Sequence, residues 1–429
     1  MVLAATASKW LQSAPRKAID QLEGSPSHRI IFTVLLAIGI IVLVGRGRKT
    51  WTLLRVNAPI LLFFGYCAVS TLWSDYPDVA FKRWIKALGD LVMVMIVLTD
   101  PEPLSAVKRF LARTGFLLVP VSVLLIKYYL DLGRAYRSSD TRWVFEGVTN
   151  DKNMLGVICL LLGLGAVWRI LQEVRERRYR RSKRPLIAQG VLLAMVLWLF
   201  WYANSMTSLA CFVMGSGLML VTSLPALTRR IAFVHVIVVA MLVVAGLALF
   251  PELGGDLARG LGRDPTLTGR TELWSEIVGM NGNPLFGVGF ESFWMGPRLD
   301  TIWSKHWWHP NEAHNGYLEV FLNLGWTGVA LLTVVIITGY RHAIGILRQQ
   351  PEAGRLMLAY FVVGVIYSLT EAGFRLLNPV WICFLLAAIA VPKGLVSKSF
   401  EVRDSPAEPA TPNVELRKVG VNRSREIAR

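Results

Sequence analysis

Cysteine is scarce in this 429-residue chain, and Cys67, Cys159, Cys211 and Cys383 all fall within apolar runs. None lies in the long polar interval and no two stand at metal-ligand spacing, so neither a disulfide framework nor a thiolate metal site is expected. They read as small buried hydrophobes. Acidic residues are also few, 29 Asp and Glu against 46 Lys and Arg. The surplus cations do not form one patch but gather in short intervals between apolar segments, the asymmetry of cytoplasmic loops in membrane proteins. A nucleic-acid partner is therefore not expected. Residues 1–28 lack an apolar core followed by a small-residue cleavage site, and read as a polar amino-terminal segment. Internal repeats and a second domain are missing as well.

Long hydrophobic runs are abundant: 54% of the residues are hydrophobic, more than an ordinary soluble domain carries. The expected fold is all-α, a polytopic integral membrane protein. Windows able to cross about 30 Å of hydrocarbon give about eleven helices, centred near Leu36, Leu62, Val92, Val121, Leu161, Val196, Met214, Val239, Leu331, Val363 and Leu386. The basic run at 175–184 marks the cytoplasm, because clustered short-loop cations resist translocation. Counting from it, the basic intervals 46–55, 108–113, 229–230 and 341–355 also fall inside. Intervals 74–83, 131–152, 251–314 and 371–377 fall outside, with acids and bases roughly balanced. Eleven helices with a cytoplasmic tail place the amino terminus outside, against Lys9, Arg16 and Lys17, so the count is taken as about 11–12. Residues 29–392 then form one transmembrane domain including the large outer loop 251–314. The tail 393–429, rich in Pro, Ser, Glu and Arg, reads as disordered.

Polar residues with chemical character lie on the outer face. Arg142, Lys152 and Asn153 flank a helix start, where cations and free N–H groups suit an anion, although solvated loop charge explains them equally. Asn204 to Ser208 form a tight outer turn. Asp90, about two turns into the third helix, is a membrane-embedded carboxylate, which needs a partner or a function. In the long loop, residues 269–280 read as an amphipathic helix lying on the membrane, with Leu273, Trp274, Ile277 and Val278 on one face. Arg270 stands at its start, and its guanidinium fork suits a phosphate. The following Gly287, Val288, Gly289 run is outside the cell and follows no strand, so it shapes a turn and does not hold a nucleotide.

His314 precedes the apolar run 316–340 and so sits where a helix begins. The helix dipole should lower its pKa and keep the imidazole neutral, available as a base. It can equally be an interfacial histidine in a belt with Trp303, Trp307 and Trp308. His309 and His314 stand five apart without an acidic pair at metal spacing, so no metal is expected. Glu319, one turn later, can snorkel or pair with an arginine.

Five stretches in this order resemble the O-antigen ligase and polymerase superfamily, the Wzy and WaaL group, and within it exopolysaccharide polymerases similar to ExoQ. They lie at 73–83, at 150–156 (Asn-Asp-Lys-Asn-Met-Leu-Gly), at 266–274, at 283–290 and at 313–328. The likeness spans residues 61–392. It implies a GT-C-like membrane glycosyltransferase, independent of metal and cofactor, in exopolysaccharide or O-antigen biosynthesis. The implied donor is undecaprenyl-pyrophosphate-linked oligosaccharide and the acceptor a glycan, at the periplasmic face of the bacterial inner membrane. Chain-length or export proteins are implied partners beside the lipid bilayer. By that likeness Arg270 matches the arginine that holds pyrophosphate and His314 the histidine that activates the acceptor hydroxyl. Met206 stands where relatives often carry Arg or Lys, so a second cation is expected from Arg142, Lys152 or Arg375. Asn153, Glu319, Trp274 and Trp307 complete the expected substrate contacts; the tryptophans offer flat faces to sugars or anchor the interface. A ligase acting on lipid A or protein is one alternative. A transporter or flippase of the same glycan is another, favoured only by Asp90, since the polar residues crowd one face and no halves repeat.

Overall fold

The computed structural model describes residues 26–137, 142–176, 182–224, 230–247 and 270–391. Half of the basic run 175–184, the loop residues 248–269 and the two chain ends lie outside them, and with them the expected tail and part of the large loop. Each of the hydrophobic centres read from the sequence falls inside a helix. These are α1 (Pro26–Gly45), α2 (Gly47–Val56), α3 (Ala58–Val69), α4 (Pro77–Leu98), α5 (Pro103–Tyr128), α6 (Lys152–Glu176), α7 (Arg184–Ala203), α8 (Met206–Val221) and α9 (Ile231–Leu247). Two loop helices follow, α10 (Arg270–Gly279) and α11 (Gly296–Lys305), and then α12 (Gly316–Gln349), α13 (Pro351–Thr370) and α14 (Pro379–Ala388). Among the described residues the strands are those of one hairpin, β1 (Arg134–Arg137) and β2 (Arg142–Phe145), paired antiparallel with Arg134 opposite Phe145.

Five of these helices, α5, α6, α7, α12 and α13, are long and apolar enough to cross a membrane. A sixth span is gained if α1 and α2, bent by 97° at Arg46, count as one. The chain is thus a multi-pass membrane protein. Helices α3, α8, α9 and α14 are apolar but shorter. Helix α4 carries Lys82, Arg83, Lys86 and Asp90 along its length, which dilutes its hydropathy.

Helix α13 is the hub, with 89% of its apolar window buried against 28% for α7. In a bilayer the lipid is as apolar as leucine, so close packing and internal hydrogen bonds hold helices together more than hydrophobic transfer does. Small residues permit that packing: a Cβ on Gly215 would stand 2.9 Å from Val363, and one on Gly364 3.0 Å from Phe384. Tyr360, on α13, donates its hydroxyl to the Leu161 carbonyl of α6 at 2.9 Å.

Helix α12 is broken early, and the break seats the outer loop. Gly325 takes φ 63° and ψ −168°, which opens the helix hydrogen bonding. Chain 283–289 docks there by backbone pairing: Trp326 N–H donates to Pro284 O (2.9 Å), Thr327 N–H to Leu285 O (3.1 Å), and Gly289 N–H to Asn323 O (2.9 Å). A Cβ on Gly287, itself at φ 70°, would lie 2.4 Å from the Asn323 carbonyl carbon. The Gly287 to Gly289 run is therefore a docking turn, as its sequence suggests.

The described loop residues have their own small core, in which Leu273, Ile277, Phe293, Trp294, Ile302 and Ala313 are buried. This corrects one expectation: the apolar face of α10 covers protein, not the bilayer surface, and Val278 is left exposed. Amphipathicity alone cannot say which apolar body a helix covers.

Gly287→Ala should destabilise the fold by about 1–3 kcal/mol, since it combines an unfavourable left-handed backbone with a clash against main chain. Thermal unfolding of detergent-purified protein reads this, with Gly279→Ala as control because open space surrounds that position. Equal midpoints for the two variants would show that the loop does not depend on this contact.

Candidate active site

Three intervals far apart in sequence, 74–83, 270–315 and 371–377, meet at one end of the bundle. Arg270, the first residue of α10, donates Nη1–H to Thr370 O at 2.7 Å and places Nη2 3.3 Å from Glu371 Oε1. The other oxygen of Glu371 lies 3.1 Å from His314 Nδ1. Glu312 Oε1 also stands 3.1 Å from that nitrogen, while its Oε2 is 3.2 Å from Arg375 Nη1. Arg375 Nε in turn reaches Glu291 Oε2 at 3.4 Å, and Arg83 donates to the Glu291 carbonyl. The result is an alternating row of charge: Arg270, Glu371, His314, Glu312, Arg375, Glu291.

Local structure fixes this row. Asn315 caps α12, its side chain accepting from Tyr317 N–H and Leu318 N–H at 3.0 Å each. Gly316 N–H donates to Glu371 O at 3.1 Å, which joins the start of α12 to the end of α13. Both backbone groups of Ala313 are held by side chains, its N–H by Glu319 and its carbonyl by Trp274 Nε1–H at 2.7 Å. Glu319 also accepts from Trp294 Nε1–H at 3.0 Å. On the far side, Asp90 Oδ2 accepts Leu377 N–H at 2.7 Å. Glu291, His314 and Leu377 adopt φ of 51°, 50° and 59°. Left-handed backbone at residues with side chains is strained, and it gathers here because the surrounding bonds hold it.

The electrostatics correct the expectation for His314. Burial works against its charged form, but hydrogen bonding and attraction to Glu312 and Glu371 outweigh burial and raise its pKa from 6.5 to about 9. Two carboxylates in contact exceed the influence of the helix dipole, on which the expected lowering rested. Glu312 is also buried, yet His314 and Arg375 hold its carboxyl below the usual range. Arg375, buried as well, is held charged by Glu291, Glu319 and Glu312. Nδ1 of His314 is engaged, whereas Nε2 has no hydrogen-bond partner among the described residues.

Of the residues singled out from sequence, Arg270, His314 and Arg375 are brought together. Glu319 and Trp274 are braces beneath them, and Glu319 accepts from backbone and indole, not from an arginine. Trp307 stands exposed, while Trp308 lies tilted 6.1 Å from the His314 ring. Lys152 and Asn153 open α6, but neither hydrogen-bonds or ion-pairs with the row among the described residues, and Asp151 already occupies the Met154 N–H at 2.9 Å. Arg142 lies in β2. Asp90 has its partner in the backbone of the 371–377 turn.

Glu312, Glu371, Glu291 and Arg83 were not singled out. Their signal was present only as membership of outer-facing intervals and of the stretch preceding His314. Glu312, His314 and Glu371 offer atoms within 4.8 Å of one another, which suits a cation by distance. Arg270 and Arg375 already share those two carboxylates, so the arrangement is that of an ion-pair row. Beside it opens a cleft, with Arg375, Glu291 and Glu319 at one end and Phe63, Phe64 and Trp381 among its walls.

Residues 153–333 match the family model Wzy_C, described as O-antigen ligase. Over 328 residues the chain is 24% identical to "Exopolysaccharide production protein ExoQ" of Rhizobium meliloti (strain 1021), covering 75% of this chain and 73% of that protein. Over 358 residues it is 23% identical to "Putative polysaccharide ligase" of Rickettsia bellii (strain RML369-C), covering 79% and 81% respectively. The likeness read from the motifs is thereby borne out. The family match includes Arg270, Glu312, His314 and Glu319 but stops before Glu371 and Arg375.

Because the folded pKa of His314 is raised, its charge stabilises the fold fully below about 6.5 and ceases to do so as pH rises through about 9. The melting-temperature advantage of the native protein over His314→Gln should therefore shrink between those values. A difference that stays constant from pH 6 to 10 would mean the imidazole is not ion-paired.

Proposed function

Since residues 153–333 belong to the O-antigen ligase family, we propose that the chain is a membrane glycosyltransferase acting on polyprenyl-pyrophosphate-linked oligosaccharide. The finer reading is polymerisation or transfer of that oligosaccharide at the periplasmic face of the bacterial inner membrane, in exopolysaccharide or O-antigen biosynthesis. The observation that carries it is the row of alternating charge in which Nδ1 of His314 is clamped and arginines stand on both sides. An apolar cleft ending at Arg375 and Glu291 supports an amphiphilic donor.

In this reading the acceptor hydroxyl oxygen attacks the anomeric carbon of the donor sugar. The bond from that carbon to the pyrophosphate oxygen breaks, the leaving group keeps the electron pair, and the hydroxyl proton passes to His314 Nε2. Arg270 turns its guanidinium from Glu371 to the pyrophosphate, and Arg375 supplies the cation that relatives often carry at the position of Met206. Such fixed charges act strongly where water is excluded. Trp307 offers its exposed face to sugar, and Trp274 and Glu319 act by holding Ala313. Arg142, Lys152 and Asn153 serve as further substrate contacts outside the row. Asp90, which favoured transport, already serves as a cap.

The raised pKa of His314 also favours a second reading, in which the imidazolium stays charged and protonates or stabilises the departing pyrophosphate. The direction of the pH profile separates the two. Turnover rising with pH toward about 9 marks a base, and turnover falling through that value marks an acid.

His314→Ala should lower turnover by about two to four decades with donor binding retained, the usual weight of general acid or base catalysis. Arg270→Ala should weaken donor binding as well, and Arg270→Lys should restore only part of it, because an ammonium lacks the planar fork. Polymer formation in vesicles with a defined lipid-linked donor measures both. Normal rates in both alanine variants would sink the assignment.

Chelation offers an independent check on the row as ion pairs. Activity should survive exhaustive EDTA treatment. Loss of activity that a divalent ion restores would instead make Glu312, His314 and Glu371 ligands.

A further inference from the structure

Glu371 lies beyond the family match, in a turn after α13, yet among the described residues it alone touches the side chains of both expected catalytic groups. One carboxylate oxygen is 3.3 Å from Arg270 Nη2 and the other 3.1 Å from His314 Nδ1. Glu312 stands equally close to Nδ1, but the aligned hydrogen bond runs to Glu371. Its own backbone is pinned, because its N–H donates to Tyr367 O and its carbonyl accepts from Gly316 N–H. The main chain at Glu371 therefore cannot shift without dragging the start of α12, and the carboxylate hangs from a fixed anchor.

We propose that Glu371 is the positioning residue of this site: it holds the Nδ1 proton of His314 so that Nε2 is the atom exchanging a proton, and it links that atom to donor capture through Arg270. The proposal rests on the glycosyltransferase reading above. While the donor is absent, the carboxylate divides its charge between a guanidinium and an imidazole. When pyrophosphate takes Arg270, no proton or bond changes at Glu371; the carboxylate is simply left to His314 alone. The donor thus primes the base before the acceptor reacts.

Other groups face this pair and set the background. Glu312 and Arg375 approach His314 from the opposite side, and Tyr367 of α13 and Cys211 of α8 lie within electrostatic range of Glu371. None of them bridges Arg270 and His314.

The test is the pH dependence of turnover in vesicles, with lipid-linked oligosaccharide as donor, for the native chain, Glu371→Gln and Glu312→Gln. Removing a carboxylate in contact should move the limb governed by His314 downward by about one pH unit or more in either variant. Only Glu371→Gln should also change the donor KM, lowering it because Arg270 loses its resident counter-charge, while kcat falls about tenfold or more from the lost alignment. An unmoved limb, or a raised donor KM with the limb in place, would overturn the role and leave Glu371 a structural brace. If the Gln variant does not insert, Glu371→Asp decides: its retained charge should keep the limb near the native pH, and its shorter reach should lower kcat. Undiminished kcat in that variant overturns positioning. A native chain that transfers no glycan refutes the glycosyltransferase reading itself, His314→Ala with normal turnover refutes the catalytic role of His314 on which this proposal stands, and a His314-dependent enzyme with an unmoved limb refutes only the part assigned to Glu371.

Discussion

Everything at the functional end of this bundle depends on keeping several charges together in a place mostly closed to water. An isolated ion there would carry a large desolvation penalty, and a single pair would barely offset it. The alternating row from Arg270 to Glu291 solves this by giving each inner member an opposite charge on both sides. Each inner charge is therefore compensated before any substrate arrives. In the proposed function, a pyrophosphate entering the row would exchange one anionic partner for another and would not have to create a charged site.

Holding such a row demands a rigid frame, and what that frame fixes is main chain. The break at Gly325 exposes main-chain groups of α12, and the docking turn at Gly287 occupies them. That pairing aims Glu291 toward Arg375 on one side, while Ala313, gripped at both its N–H and its carbonyl, aims His314 on the other. Three left-handed residues persist because the frame over-determines them. The glycines far from the chemistry are thus as much part of the site as the arginines.

How much of this could be read in advance follows from the range of each interaction. The helices were legible because hydrophobicity over some twenty residues is a local property, and the grouping of polar intervals on one face followed from loop cations. Arg270, His314 and Arg375 were reachable from motifs or intervals. The contacts of Glu371 and Glu291 were not, because His314 and Glu371 are separated by the whole of α12 and α13, and nothing local announces their meeting. The pKa of His314 went the wrong way for the same reason: its own helix is visible in sequence, whereas the opposing carboxylates are tertiary. Helix α10 shows a different limit, since an apolar stripe looks alike whether it meets lipid or Phe293.

Asp90 and Glu319 sharpen that limit. A carboxylate inside an apolar run suggests either passage of an ion or contact with a substrate. Here each one accepts a backbone N–H at a turn beside the row, Asp90 from Leu377 and Glu319 from Ala313. A turn at the membrane boundary leaves main-chain donors without helix partners, and an unmade hydrogen bond there is expensive. A fixed carboxylate meets that need and at the same time steadies a nearby member of the row, Arg375 two residues before Leu377 in one case and His314 directly after Ala313 in the other. These two buried acids therefore serve the charged row at one remove, through the backbone they hold.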